Sequence, residues 1–368
     1  MNKPKALEIM DQLFEVAVQR KASDIHIVVG KPPLLRIAGD IAPIEGVDVV
    51  TSETAQELLF SLASDDEREK FLRDKELDMA HQIPSGKRFR INMHWEKRNV
   101  AMAARTIPSE VPSMQSLELP QIADKFVELP HGLVLVTGPT GSGKSTTLAA
   151  MVNAINANRA ENIITLEDPI EFLFEPKKSI VRQRQLGQDF LSFPEGLKHM
   201  LRQDPDVVMV GEMRDIDTIA TTLTIAETGH LVFATLHTYS ASQTIDRIID
   251  VFPPYQQNQV RAQLALTLRG VISQQLLPKV GGGRVAAREI LVNNPAVANL
   301  IRENKVPQIK NVLQTSSAEG MTTLAQDLGR LLKSGLVERD IAEQYLVGAE
   351  KIEVEDEAPP KKKGLFGK

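Results

Sequence analysis

Gly138-Pro139-Thr140-Gly141-Ser142-Gly143-Lys144-Ser145-Thr146 follows the apolar run Leu133-Val134-Leu135-Val136 and leads into Thr147-Leu148-Ala149-Ala150-Met151. Strand, glycine loop and helix in that order are the context that lifts the pattern G-x-x-x-x-G-K-[ST] above a chance match. Gly138, Gly141 and Gly143 let the backbone turn tightly, so that several N–H groups converge on one point. A helix starting near Gly143 adds its unpaired N–H groups and positive dipole end, which together favour an anion. Lys144 is placed to reach the β- and γ-phosphates of a nucleotide, and the Ser145 hydroxyl to hold Mg²⁺. The plain alternative is a glycine-rich turn after a strand. Four specified positions match by chance in about one chain in a hundred of this size, and the flanking strand and helix reduce that further. The stretch predicts a nucleoside triphosphate site, with ATP and Mg²⁺ as the expected ligands.

The 368 residues suffice for two domains, and 42% hydrophobic with 25% charged residues is ordinary globular composition. A net charge of −5 and a pI of about 5.9 disfavour a chain that mainly grips nucleic-acid phosphates, so no nucleic-acid partner is expected. The absence of cysteine excludes disulfides and thiolate metal sites. The N-terminus lacks the apolar core of a secretory signal. No run approaches the roughly 18 apolar residues of a membrane span, so direct membrane insertion is not expected. The expected location is cytoplasmic, with any membrane link made through a partner.

Residues 5–20 place Ala6, Met10, Leu13, Phe14, Ala17 and Val18 at helical spacing. An alternating strand follows at Asp24–Val29, on which His26 reads as a hydrogen-bonded structural histidine. Pro32–Ile37 reads as an edge strand with a hairpin turn at Gly39-Asp40, then one helix over 52–72 and strands at Lys87–Trp95 and Asn99–Thr106. Residues 1–106 therefore predict a small α+β domain on an antiparallel sheet. On its penultimate strand Arg88, Arg90 and Asn92 share one face and Phe89, Ile91 and Met93 the other. A solvated face over a packed one is the plain reading. Two arginines on a rigid strand also suit a phosphate across a subunit boundary. Three prolines and three serines mark 107–120 as a linker.

From 121 to 348 the fold class expected is α/β. Apolar strands at Leu133–Thr137, Asn162–Glu167, Asp206–Glu212 and Leu231–Leu236 alternate with helices, which predicts a mostly parallel sheet with its ligand crevice at the strands' carboxyl ends. Acids stand at two of those ends: Glu167-Asp168-Pro169-Ile170-Glu171 and Gly211-Glu212. A single such acid often only caps the next helix; two in a sheet with a phosphate loop favour catalysis. Glu212 fits a metal-site acid and Glu171 an acid that orients or deprotonates water. His230 and His237 flank the fourth strand, and without a third ligand they fit γ-phosphate sensing better than a metal pair. A β-hairpin spans 275–292 across Gly281-Gly282-Gly283, and helices follow at 295–304, 307–314, 321–333 and 338–346. The charge-segregated tail, 349–368, reads as disordered.

With these residues in view, the chain resembles the type IV pilus retraction ATPases, the twitching-motility motors of the secretion-ATPase superfamily. The resemblance runs from Ala22-Ser23-Asp24-Ile25-His26 to about residue 345. It covers Gly138–Thr146, Thr165–Glu171, Arg202–Asp206 with Gly211–Asp215, and Ala226–Thr238. It implies a PAS-like N-terminal domain, a RecA-like ATPase domain and a homo-hexameric ring. It also implies catalytic Glu171, metal-site Glu212, and Arg88 and Arg90 reaching a neighbour's nucleotide. The partners implied are an inner-membrane pilus platform protein and, for an accessory paralogue, another pilus ATPase. One position departs. The family's late Ala-Ile-Arg-Asn-Leu-Ile-Arg-Glu reads here Ala296-Val297-Ala298-Asn299-Leu300-Ile301-Arg302-Glu303, with Ala298 for the first arginine. That departure is expected to leave hydrolysis alone and to bear on docking or force transmission.

Overall fold

The structure is a computed structural model that describes residues 3–37, 39–107 and 110–346. The chain divides into two compact units. Met1–Val111 with Glu171–Leu173 form the first, and Pro112–Ile170 with Phe174–Lys368 the second.

In the first unit α1 (Lys3–Gln19) buries Ala6, Met10, Leu13, Phe14 and Ala17, the apolar stripe its spacing carries. Strands β1 (Asp24–Ile27), β2 (Leu34–Ile37) and β3 (Asp40–Pro43) precede α2 (Ser52–Leu62) and α3 (Asp65–Asp74), and β4 (Glu76–Gln82), β5 (Arg88–Glu96) and β6 (Asn99–Ile107) follow. The six strands pair antiparallel in the order β3-β2-β1-β6-β5-β4. Phe14 stacks on Phe89 at 4.3 Å between ring centroids, fixing α1 against β5. The face alternation expected for β5 is present. Phe89, Ile91 and Met93 are fully buried, while Arg90 is exposed and in register with Arg105.

Four expectations change here. The strand expected at a sheet edge, β2, lies between β1 and β3. The helix over 52–72 is two helices, because Ala63 is extended (φ −93°, ψ 144°) and Ser64 starts a new one. The Ser64 hydroxyl accepts the Glu67 N–H while the Glu67 carboxylate accepts the Ser64 N–H at 2.9 Å, a reciprocal cap that outweighs helix continuity. Strand β4 was not foreseen: it lies at a sheet edge, where only Leu77 and Met79 need be buried. His26 stands on β1 as expected, but its Nε2 is buried without a hydrogen-bond partner among the described residues.

The second unit contains α4 (Ile122–Glu128), β7 (Gly132–Thr137), α5 (Lys144–Asn158), β8 (Asn162–Glu167), β9 (Ile180–Gln185), α6 (Phe193–Met200), β10 (Val207–Val210), α7 (Ile216–Glu227), β11 (Leu231–Leu236), α8 (Ala241–Asp250), α9 (Pro254–Thr267), β12 (Leu268–Pro278) and β13 (Arg284–Val292). The chain then runs through α10 (Pro295–Arg302), α11 (Ile309–Thr315), α12 (Leu324–Lys333) and α13 (Arg339–Gln344). Its seven-stranded sheet has the order β13-β12-β7-β11-β10-β8-β9. All neighbours are parallel except β12 and β13, the expected hairpin. Every residue of β7, β10 and β11 is buried, as strands covered on both faces require. Sequence reasoning missed β9 because Ile-Val-Arg-Gln-Arg-Gln is an edge strand with only Gln185 buried. It also missed that β12 joins the parallel sheet beside β7. The charged tail lies outside the described residues.

Candidate active site

The phosphate loop leaves the centre of the sheet. β7 ends at Thr137, and the chain turns through Gly138 (φ 142°), Gly141 (φ 79°) and Gly143 (φ 85°). Gly143 occupies the N-cap of α5 without a side-chain cap, so first-turn N–H groups remain directed at the loop. Lys144 is only 8% exposed, and its ammonium donates to Gly138 O at 2.8 Å and Pro139 O at 3.0 Å. The Ser142 hydroxyl is buried without a hydrogen-bond partner among the described residues. A buried cation, an unpaired hydroxyl and an uncapped helix start form a donor set that fits nucleotide phosphates, with Pro139, Thr140, Ser145 and Thr146 completing the loop.

The neighbouring strands deliver two groups beside Lys144. His237 follows β11, and its Nδ1 lies 3.5 Å from Lys144 Nζ. Its Nε2 lies 3.3 Å from Glu212 Oε2, just past the end of β10. An ammonium only donates, so Nδ1 is the acceptor and Nε2 carries the proton toward the carboxylate. Glu212 is largely buried and also ion-paired with Arg214. The segment around it is anchored on both sides. Gly211 N–H continues the sheet to Leu166 O at 2.8 Å, and Asp215 caps α7 through the Thr218 N–H at 2.8 Å. The Ser145 hydroxyl and the Glu212 carboxylate are hard oxygen donors of the kind Mg²⁺ takes. Among the described residues no cluster of three or more His, Asp or Glu gathers to hold a metal by itself.

His230 lies away from the loop. His230 precedes β11, so the six residues of that strand, at about 3.3 Å each, put it roughly 20 Å from His237. Its Nδ1 contacts Ile225 O at 3.0 Å, tying α7 to β11. The γ-phosphate sensing expected of both histidines therefore has only His237 near the loop of its own chain. Glu171 is exposed in the segment that goes with the first unit, as Arg88 and Arg90 do, so the second unit's geometry joins Lys144, His237 and Glu212 without them. Glu167 is buried, accepting from Thr165 Oγ1 at 2.6 Å and Gln183 Nε2 at 3.1 Å, which gives it a structural place.

Sequence reasoning missed a layer of polar residues behind the loop. Gln274 of β12 donates to Ser142 O at 2.7 Å and accepts from Thr147 Oγ1 at 2.9 Å. Thr137 Oγ1 and Ser273 Oγ are 2.8 Å apart, and Thr244 reaches Thr137 at 3.5 Å and Thr238 at 2.7 Å. The available signal was the polar triplet Ser273-Gln274-Gln275 inside the otherwise apolar run from Val271 to Leu277.

A phosphate loop at the centre of a parallel sheet, with an acid and a histidine on adjoining strand ends, defines a RecA-like P-loop ATPase. The chain belongs to the type II/IV secretion system protein family, whose model matches residues 2–282, and within it to the pilus retraction ATPases. It is 45% identical to the "Type IV pilus retractation ATPase PilT" of Pseudomonas aeruginosa over 90% of this chain and 96% of that protein. It is 48% identical to the "Twitching motility protein" of Neisseria gonorrhoeae over 94% of this chain and 92% of that one. A solved structure of the pilus retraction motor PilT with bound ADP matches with a TM-score of 0.88 and 45% identity, over 92% of this chain and 97% of that chain. No helix among the described residues is long and apolar enough to cross a membrane.

Proposed function

We propose that this chain is an ATP-hydrolysing motor of type IV pilus retraction. It works as a homo-hexameric ring on the cytoplasmic side of the membrane, docked through a pilus platform protein in the inner membrane. The observation that carries the reading is the line Lys144–His237–Glu212 at the phosphate loop. It lies in a chain that is similar to a retraction ATPase over nearly that protein's whole length.

In this reading the loop N–H groups and Lys144 bind the β- and γ-phosphates of ATP. Ser145 and Glu212 would hold Mg²⁺, which would supply charge neutralisation at those phosphates. Glu171 takes the proton of the attacking water. His237 stands between the loop lysine and the metal-site acid, so a change in the γ-phosphate is felt on both strand ends. Arg88 and Arg90 serve a nucleotide held by a neighbouring subunit.

Turnover by the purified full-length chain, with and without Mg²⁺, tests this alongside Lys144→Ala. Turnover that vanishes in Lys144→Ala while the ring persists in gel filtration supports the reading. Equal turnover in both would end it. Ala298 favours one second reading, a retraction-accessory motor. Expressing the chain in cells that lack every retraction ATPase separates the two, since only a primary motor restores twitching alone.

A further inference from the structure

Gln274 meets the phosphate loop and the helix that follows it through three atoms. Its side-chain amide is 2% exposed and lies across the loop's underside, with Nε2 donating to Ser142 O and Oε1 accepting from Thr147 Oγ1. Because Ser142 O can only accept, the amide has one orientation. The Gln274 main chain is as close. A Cβ built on Gly138 would stand 2.1 Å from Gln274 O, and one on Gly143 would stand 3.2 Å from Gln274 Nε2. Glycine at both positions therefore answers to this neighbour as well as to positive φ.

The placement is rigid. The β7–β12 pairing runs up to Thr137 against Ser273, so Gln274 is the next residue of β12, at the level where β7 gives way to the loop. On its other side β12 stays paired with β13, where Gln274 is in register with Arg288. Arg288 is itself buried and donates to Leu117 O at 2.8 Å and Glu118 O at 3.1 Å. A strand held on both edges thus presents the amide to the loop.

We propose that Gln274 is a positioning residue for nucleotide binding, which aims the Ser142–Gly143 peptide by holding its carbonyl. In a trans peptide the C=O and N–H point in opposite directions. Fastening Ser142 O toward β12 turns the Gly143 N–H away from β12, into the loop's concave side, where a phosphate oxygen accepts it. Thr147, one turn into α5, locks the other end of the amide, so loop and helix are aimed together. Nucleotide is bound through a pre-set peptide rather than one that must turn on binding.

The inference rests on the loop being the nucleotide site. Fluorescent ADP and ATP titrations on the full-length ring, with steady-state kinetics, test it in Gln274→Met, Gln274→Glu and, as a reference, Lys144→Ala. Gln274→Met keeps shape and removes the donor. Gln274→Glu keeps the acceptor for Thr147 but sets oxygen against Ser142 O. The expected result is a Kd and KM raised about three- to tenfold by the first and tenfold or more by the second. In both, kcat stays within about threefold, since the reacting groups are untouched. A residue that only fills the core would change melting temperature without this split. Wild-type affinity in a folded Gln274→Met ring overturns the proposal even if Gln274→Glu does not fold. If Lys144→Ala also bound nucleotide normally, the loop reading itself would fall. Loss in Lys144→Ala with normal affinity in Gln274→Met would leave that reading standing and remove Gln274 from it.

Discussion

The Nε2 of His237 lies 3.3 Å from the Oε2 of Glu212, joining the ends of two neighbouring parallel strands. The same imidazole accepts from Lys144 on its other nitrogen. It therefore bridges the loop lysine and the acid through its two ring nitrogens. His237→Gln can keep a donor toward Glu212 but cannot span both contacts from two ring nitrogens. The expected outcome is kcat reduced about ten- to a hundredfold, the range that losing a partner behind a metal-site ligand produces, with ADP affinity close to wild type. Undiminished kcat would assign the imidazole to packing alone.

The two acids separate by their surroundings. Glu212 is fastened by Arg214 and His237, whereas Glu171 is exposed. Glu171→Gln is expected to bind Mg·ATP normally and to hydrolyse it about 10²–10⁴-fold more slowly, the usual worth of a general base. Glu212→Ala is expected to shift the Mg²⁺ concentration needed for half-maximal turnover. Single-turnover hydrolysis across a Mg²⁺ series reads both, and wild-type rates in Glu171→Gln would move the base elsewhere.

The first unit is expected to lose stability in acid through His26. Burial pushes its imidazole below the ordinary value of 6.5, and Arg36, Arg105 and His94 push the same way against Asp24. The unfolded chain therefore takes up a proton near pH 6.5 that the folded chain refuses until lower pH. Between those values the unfolded state binds more protons, so stability is full above about 6.5 and declines as pH falls. Melting curves of wild type and His26→Gln at pH 7.5 and 5.5 measure this. The wild type should lose more melting temperature than the variant. Equal losses would remove His26 as the cause.

Ala298 belongs to the core's margin rather than to an open patch. α10 starts at the Asn294 cap, whose side chain accepts the Val297 N–H at 2.9 Å. Ile301 is fully buried, and Ala298 is half-buried against the same core. The surface that spacing alone would assign to Ala298, Ile301 and Arg302 is thus split, with Arg302 alone exposed. An arginine at 298 lays its stem along apolar surface and carries its head outward. Ala298→Arg should leave ATPase activity near wild type and alter pilus retraction in cells. A matching change in ATPase activity would tie α10 to hydrolysis.

What the sequence determined by itself are the features written in local spacing. Gly138–Thr146 with its flanking strand and helix names a phosphate site, because loop conformation depends on glycines within nine residues. The buried parallel strands read as unbroken apolar runs, and the α1 stripe reads as a helix. Even the break at Ser64 was written locally, in Ser64-Asp65-Asp66-Glu67. Strand β9 was hidden because an edge strand needs few apolar residues. Tertiary structure alone decided which remote residues meet the loop. It brought His237, just past β11, to Lys144, 93 positions away, and Gln274 of β12 beneath Ser142, 132 positions away. The physical reason is that a side chain's place at one end of a sheet depends on strand order and register. Those follow from the packing of the whole unit, and no spacing within a motif encodes them.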